Sequence, residues 1–341
     1  MMCTTFLGKA PLSARRAWRV LAKLFPRFYA SCMICALVDC GGHFTDAHTT
    51  ALVEASQRGM RVEHFRFAEV PSRQELKAID ALASEILPED PTPSLDEIAA
   101  QPDVSHLGAP GPAPQAPFLR EPLRIVVIGS DAALSAVLTR MMRADYLWAE
   151  VGYVPTGEHS TAAMNWGLKA SETGQGRQGL GDQGTVMEEA LSFAMTAPVN
   201  PVPLIRNDAG LAVAGSATIA EWSNEEITGE IIVDDAVLLR ADREKDVFGA
   251  KLVPMTDAPG IVAAKAVTSF EADVAPRRGF FARLRKPVQP GQLDPASVVQ
   301  GRAVQAGGPA LSVSVDGVRA KRPVKRVTFY RHLRDLQIVR P

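Results

Sequence analysis

Apolar positions along the chain fall into two regimes that meet near Gly167. In the first, short apolar runs alternate with stretches of helical spacing. Residues 33–39 (MICALVD) form an apolar run closed by Gly41-Gly42, the pattern of a strand buried on both faces. Residues 45–58 carry Ala, Leu and Val at helical spacing and stop at Gly59, a natural helix terminator. Residues 61–67 (RVEHFRF) alternate like a strand. Residues 72–87 predict a helix, with Ser72 as N-cap and Glu75 completing a capping box. A stretch rich in Pro, Ala and Gly over 88–122 reads as a surface insertion or linker. Beyond it a strand at 123–128 (LRIVVI), a helix at 132–143 and a strand at 150–154 complete the regime. Alternation of this kind builds a parallel sheet covered by helices, with ligands beyond the carboxyl ends of the strands. That rule places Gly129-Ser130-Asp131 and Pro155-Thr156-Gly157 at the mouth of one crevice.

In the second regime residues 171–185, rich in Gly and Gln, predict a loop, and 186–195 a short helix. Short alternating runs follow at 211–219, 228–238, 251–254, 310–315, 324–330 and 336–339, punctuated by Gly, Asp and Pro. Such runs predict an antiparallel sandwich or barrel. The expected organisation is a basic N-terminal extension (1–32), a doubly wound α/β domain (33–167, with 88–122 inserted) and a β-sandwich domain (168–341).

Composition changes this picture little. The apolar and charged fractions are those of a globular protein, and the formal net charge of −1 gives no bias toward nucleic acid. No apolar run is long enough to span a bilayer. Residues 1–32 are basic and amphipathic, which suits a membrane surface, but Lys23 and Arg27 interrupt any signal-peptide core. Met33 opens the first clear strand and reads as the natural start. The four cysteines, Cys3, Cys32, Cys35 and Cys40, lie in the first 40 residues. Cys32 and Cys35 have redox-motif spacing, yet their apolar setting favours a buried strand over metal or redox chemistry.

Two segments together resemble the catalytic family of diacylglycerol kinases and related lipid kinases. In IVVIGSDAALSAVLTRM (125–141) the family has a strand, then Gly-Gly-Asp-Gly-Thr, then a helix. In VGYVPTGEHSTAAMNWGL (151–168) it has a strand, then Pro-x-Gly-Thr-x-Asn-Asp-Phe-Ala-Arg and a later Leu-Gly. Pro155, Gly157, Ala163 and Gly167 fall on matching positions without gaps. The end of the chain, with its Asp316-Gly317 turn and closing apolar strand before a Pro, is similar to the family's last sandwich strands. NAD kinases share the Gly-Gly-Asp type of loop; the sandwich-like ending favours the lipid kinases.

The resemblance implies ATP and Mg2+ as cofactors, a lipid hydroxyl as acceptor, and a cytoplasmic protein that meets the membrane peripherally. It places the nucleotide on Gly129, Ser130, Asp131, Pro155, Thr156 and Gly157, with Asp131 a candidate for the metal. Glycines there let backbone N–H groups approach phosphate oxygens. This chain has lost much of that equipment. The second Gly is Ser130, the third is Ala132 and the Thr is Ala133, while Thr-x-Asn-Asp reads Glu158-His159-Ser160-Thr161. The resemblance also implies a catalytic base from the second domain, for which Asp208, Asp234 and Asp235 are the candidates, with His159 as an acid or base near the crevice. All of these acids also suit plain turns. A basic loop carrying Arg277, Arg278, Phe280, Phe281, Arg283, Arg285 and Lys286 suits an anionic lipid surface, or else a solvated insertion. Two functions stay open: a lipid kinase with weakened or lost catalysis, and a non-catalytic descendant that binds a lipid, a nucleotide or a protein.

Overall fold

The computed structural model describes residues 33–44, 49–102, 108–157, 159–168, 183–243, 245–271 and 289–341. The N-terminal extension, the loop from Arg277 to Lys286, Glu158 and most of the Gly- and Gln-rich stretch after Gly167 lie outside the described residues.

The first sheet is parallel. Its strands are β1 (Ile34–Cys40), β2 (Arg61–Phe67), β3 (Leu123–Gly129), β4 (Glu150–Pro155) and, from the far end of the chain, β16 (Gln337–Ile338). The order is β16-β4-β3-β1-β2. Central β1 and β3 are buried at every position, as their unbroken apolar sequences predict, whereas edge strand β2 keeps an alternating, half-exposed pattern. Helices α1 (Thr49–Gln57) and α6 (Gln183–Thr196) cover one face over Leu37, Val126, Ile128 and Val154. Helices α2 (Lys77–Ile86) and α4 (Asp131–Arg143) cover the other over Ala36, Val38, Ile125 and Val127. The layer is therefore doubly wound.

The second sheet is antiparallel and, among the described residues, has eleven strands from β5 (Ile205–Asn207) to β15 (Val324–Arg331). Hydrogen bonds link them into one connected sheet. Long β13 (Ala303–Val315) changes register between Gly307 and Leu311. Its first half pairs with β8 (Glu230–Val233) and its second with β7 (Ala217–Glu221). The sheet thereby folds over one core that includes Ile219, Ile231, Leu252, Val304 and Phe329.

Several expectations from the pattern are corrected here. The run at 211–219 is not one strand. It breaks between β6 (Ala212–Val213) and β7 because the N–H groups of Ala214, Gly215 and Ser216 all turn to the carboxylate of Asp316 at 2.7–2.8 Å. Three successive donors aimed at one side chain cannot continue a ladder. The run at 228–238 is a hairpin of β8 and β9 (Ala236–Arg240) that turns at Asp234-Asp235. The closing apolar run at 336–339 pairs β16 with β4 in the parallel sheet, not in the second. The Pro-rich stretch is also more than a linker. It carries α3 (Leu95–Ala99), capped by a reciprocal Ser94–Glu97 pair, and a buried Gln115. Its described part is tied to the C-terminal segment: Arg334 donates to the Pro93 carbonyl, Arg331 to the Gly108 carbonyl, and Gly111 N–H to Asp335.

Candidate functional site

A cavity of about 280 Å³ opens where β3 and β4 end against the second sheet. Ser130 and Asp131 approach from the β3–α4 turn, and Gly157, His159, Ser160 and Thr161 from the turn before α5 (Thr161–Asn165). Ser216, Asp316 and Gly317 close it from the second sheet. Of the expected nucleotide residues, Ser130, Asp131 and Gly157 line this crevice. Gly129, Pro155 and Thr156 stand behind it as backbone: Gly129 is in register with Pro155, and Thr156 N–H donates to the Gly129 carbonyl at 3.1 Å. A Cβ on Gly129 would lie 3.0 Å from Cys40 Cβ and 3.1 Å from Ala133 Cβ, so this glycine serves the packing of β1 against α4.

The polar groups around Asp131 are spent on one another. Ser130 Oγ caps α4 by accepting the Ala133 N–H. Ser160 Oγ caps α5 by accepting the Ala163 N–H at 3.0 Å. The Asp131 carboxylate takes the remaining donors. Oδ1 accepts the hydroxyls of Tyr153 at 2.8 Å and Ser160 at 2.5 Å, and Oδ2 accepts the N–H groups of Thr161 at 2.8 Å and Ala162 at 3.1 Å. Gly215 then packs over the cluster; a Cβ there would lie 2.7 Å from Asp131 Oδ2 and 2.8 Å from Ala162 N. Helix N-termini attract anions through their unpaired N–H groups. Here an internal carboxylate and two serines already hold those groups. Burial pushes the Tyr153 phenol well above its usual range, with Asp131 adding to the effect.

Asp316 sits on the far side of Gly215, at a φ of 49° in the turn between β13 and β14 (Val318–Arg319). Burial pushes its carboxyl up to about 6; the three backbone N–H groups pull it down, and Asp131 pushes it up again. Because the folded state holds this proton more tightly than the unfolded chain, the linked stability is lost as pH rises from about 4 through about 6. Urea unfolding of the wild type across that window should show this decline, on the order of 3 kcal/mol from a shift of this size. Asp316→Asn, which tolerates the same backbone, should flatten it; a decline of equal size in both proteins would contradict this assignment.

Asp208, Asp234 and Asp235 lie away from the crevice. Asp208 exchanges backbone and side-chain bonds with Thr328. Asp234, at a φ of 51°, accepts the N–H groups of Arg302 and Ala303. Asp235 is an exposed hairpin residue. What the sequence did not single out is Asp316 as a crevice residue, with Tyr153, Ser160 and Gly215. Its only signal was the Asp-Gly turn.

The cavity lining contains no Lys or Arg among the described residues. Among the described residues, no group of three or more His, Cys, Asp or Glu side chains could hold a metal ion. With both Asp131 oxygens committed to four donors, the described residues do not fit Mg2+ or a triphosphate. Among the described residues, no helix is long and apolar enough to cross a membrane.

No protein-family model matches the chain. No curated protein matches it. Among solved structures, it is similar to an NAD kinase from Archaeoglobus fulgidus in complex with ATP, with 13% identity over 90% of this chain and 93% of that one, and a TM-score of 0.42. At that level the likeness assigns neither family nor chemistry.

Proposed function

We propose that this chain is a non-catalytic binding protein on a lipid-kinase-like architecture. One observation carries the reading: the Asp131 carboxylate accepts four hydrogen bonds, two of them from the N–H groups that open α5, where an anionic ligand would need free donors. Phosphoryl transfer depends almost wholly on positioning and on neutralising phosphate charge. This crevice offers the opposite balance: among the described residues its lining holds two carboxylates and no cationic side chain. The altered motif positions Ser130, Ala132 and Ala133 follow the same logic, since Ser130 is a helix cap and Ala133 is packed at zero exposure.

The test is phosphate transfer from radiolabelled Mg-ATP to diacylglycerol in mixed micelles, and to NAD in solution. No incorporation above a protein-free control is expected with either acceptor. Turnover that is lost in Asp131→Asn would overturn the reading and restore the lipid kinase or NAD kinase alternative.

A further inference from the structure

A second, apolar groove of about 230 Å³ runs along α4. Its floor is the helix itself, where Ala132, Ser135, Ala136 and Thr139 recur at helical spacing. The floor's hydroxyls are engaged within the protein: Ser135 Oγ donates to the Ala212 carbonyl at 2.7 Å, and Thr139 Oγ1 accepts the Ala212 N–H at 2.9 Å. The trough therefore presents small, apolar contact surface. Val70 walls one side at 45% exposure, and Leu211 and Val318 wall the other at 40% and 55%. Exposed aliphatics on both banks of one groove mark a binding surface.

Among the described residues, the lining includes Arg73, Arg140 and Arg143 and no acid. Arg140 is held by Asp80. The Arg143 guanidinium donates only to neutral groups, the carbonyls of Ala209 and Gly210 at 2.8 and 3.0 Å. Neither Arg73 nor Arg143 has a carboxylate partner among the described residues.

We propose that this groove receives an amphipathic helix with acidic flanks from a protein partner. Ala132 to Arg143 spans about 16 Å at helical rise, enough for three turns of a second helix. Small residues at that spacing let two helix backbones approach closely, and apolar anchors at i, i+3 or i+4 and i+7 are how a helix fills such a groove. Arg73 and Arg143 then select carboxylates beside those anchors. Charge also argues against two segments of the chain itself. Residues 1–32 hold six cations and no acid, and residues 272–288 hold five cations against Asp273, so either would bring like charge to the arginines. The inference does not rest on the non-catalytic reading, because it concerns a different surface; ATP turnover would leave it standing.

The probe is a fluorescein-labelled peptide of about 18 residues, long enough to turn helical on binding, with Leu and Ala on one face and Glu on its flanks. Anisotropy at low salt should give a Kd of about 100 μM or tighter with the intact protein. A twin peptide with Lys for every Glu should not bind. Leu211→Asp and Arg143→Glu should each weaken the Glu peptide about tenfold. Both positions are on the surface, and unchanged thermal melts should show the variants folded. Should Leu211→Asp prove unfolded, Val318→Asp on the same bank replaces it. No binding at about 1 mM, equal binding of the Lys twin, or affinity indifferent to the substitutions overturns the proposal. So does binding of phosphatidylcholine–phosphatidylglycerol vesicles through Leu211 and Val318 without binding of the peptide, which would make the groove a lipid contact.

Discussion

Replacing Asp131 by alanine should lower the unfolding free energy by about 3 kcal/mol, the range expected when a part-buried charged acceptor leaves several donors behind. The loss would be spread over Tyr153, Ser160, Thr161 and Ala162, whose hydrogen bonds all end on this carboxylate. The two hydroxyls can rotate toward other acceptors, but the two backbone N–H groups at the start of α5 cannot. Asp131→Asn should recover little. Its amide has one acceptor oxygen, so whichever way it turns, an NH2 group meets donors on one side. Urea denaturation at pH 7 measures both variants. The direction discriminates between roles. A carboxylate kept for a ligand is commonly a burden on the free protein, and its removal is neutral or stabilising. Stability unchanged or raised in Asp131→Ala would remove the reason for calling this residue structural.

The second large effect is expected at Arg334, whose side chain is 4% exposed. It donates to the Pro93 carbonyl at 3.2 Å and reaches Asp90 at 3.3 Å and Asp145 at 3.5 Å. Asp90 also holds the amide of buried Gln115 at 2.6 Å, together with the hydroxyl and N–H of Thr92. One guanidinium thus joins the Pro-rich segment, the loop after α4 and the approach to β16. Arg334→Ala should cost about 3 kcal/mol, as when one partner of a buried ion pair is removed. Arg334→Lys should not rescue it, because a single ammonium cannot span three acceptors set at different angles. Limited proteolysis should then cut within residues 88–122 well before the whole protein unfolds. If cutting in that segment is no faster than in the wild type, Arg334 is not what holds it.

How much of this was legible follows from the range of each interaction. β1 and β3 could be read because strands buried on both faces need unbroken apolar runs, and β2 because an edge strand alternates. The Ser72–Glu75 capping pair was visible as a local spacing. It forms as read, with the Ser72 N–H on Glu75 Oε2 at 2.8 Å, although the regular helix begins at Lys77. What escaped depends on distant partners. Proline and glycine content made 88–122 look like linker, because the arginines that fix it are more than two hundred residues away. The closing apolar run looked like a sandwich strand, since nothing in its pattern distinguishes a parallel edge from an antiparallel one. Asp131 lines the crevice between the two sheets. Its role was not readable, because Tyr153 and Ser160 become its donors only once β4 and α5 are in place.

The crevice holds its own carboxylates where a nucleotide phosphate would need free donors. Isothermal titration calorimetry of the wild-type protein with Mg-ATP tests it most directly. No saturable heat is expected up to about 1 mM nucleotide. A one-to-one isotherm with a Kd near about 10 μM, abolished by Asp131→Asn, would contradict it.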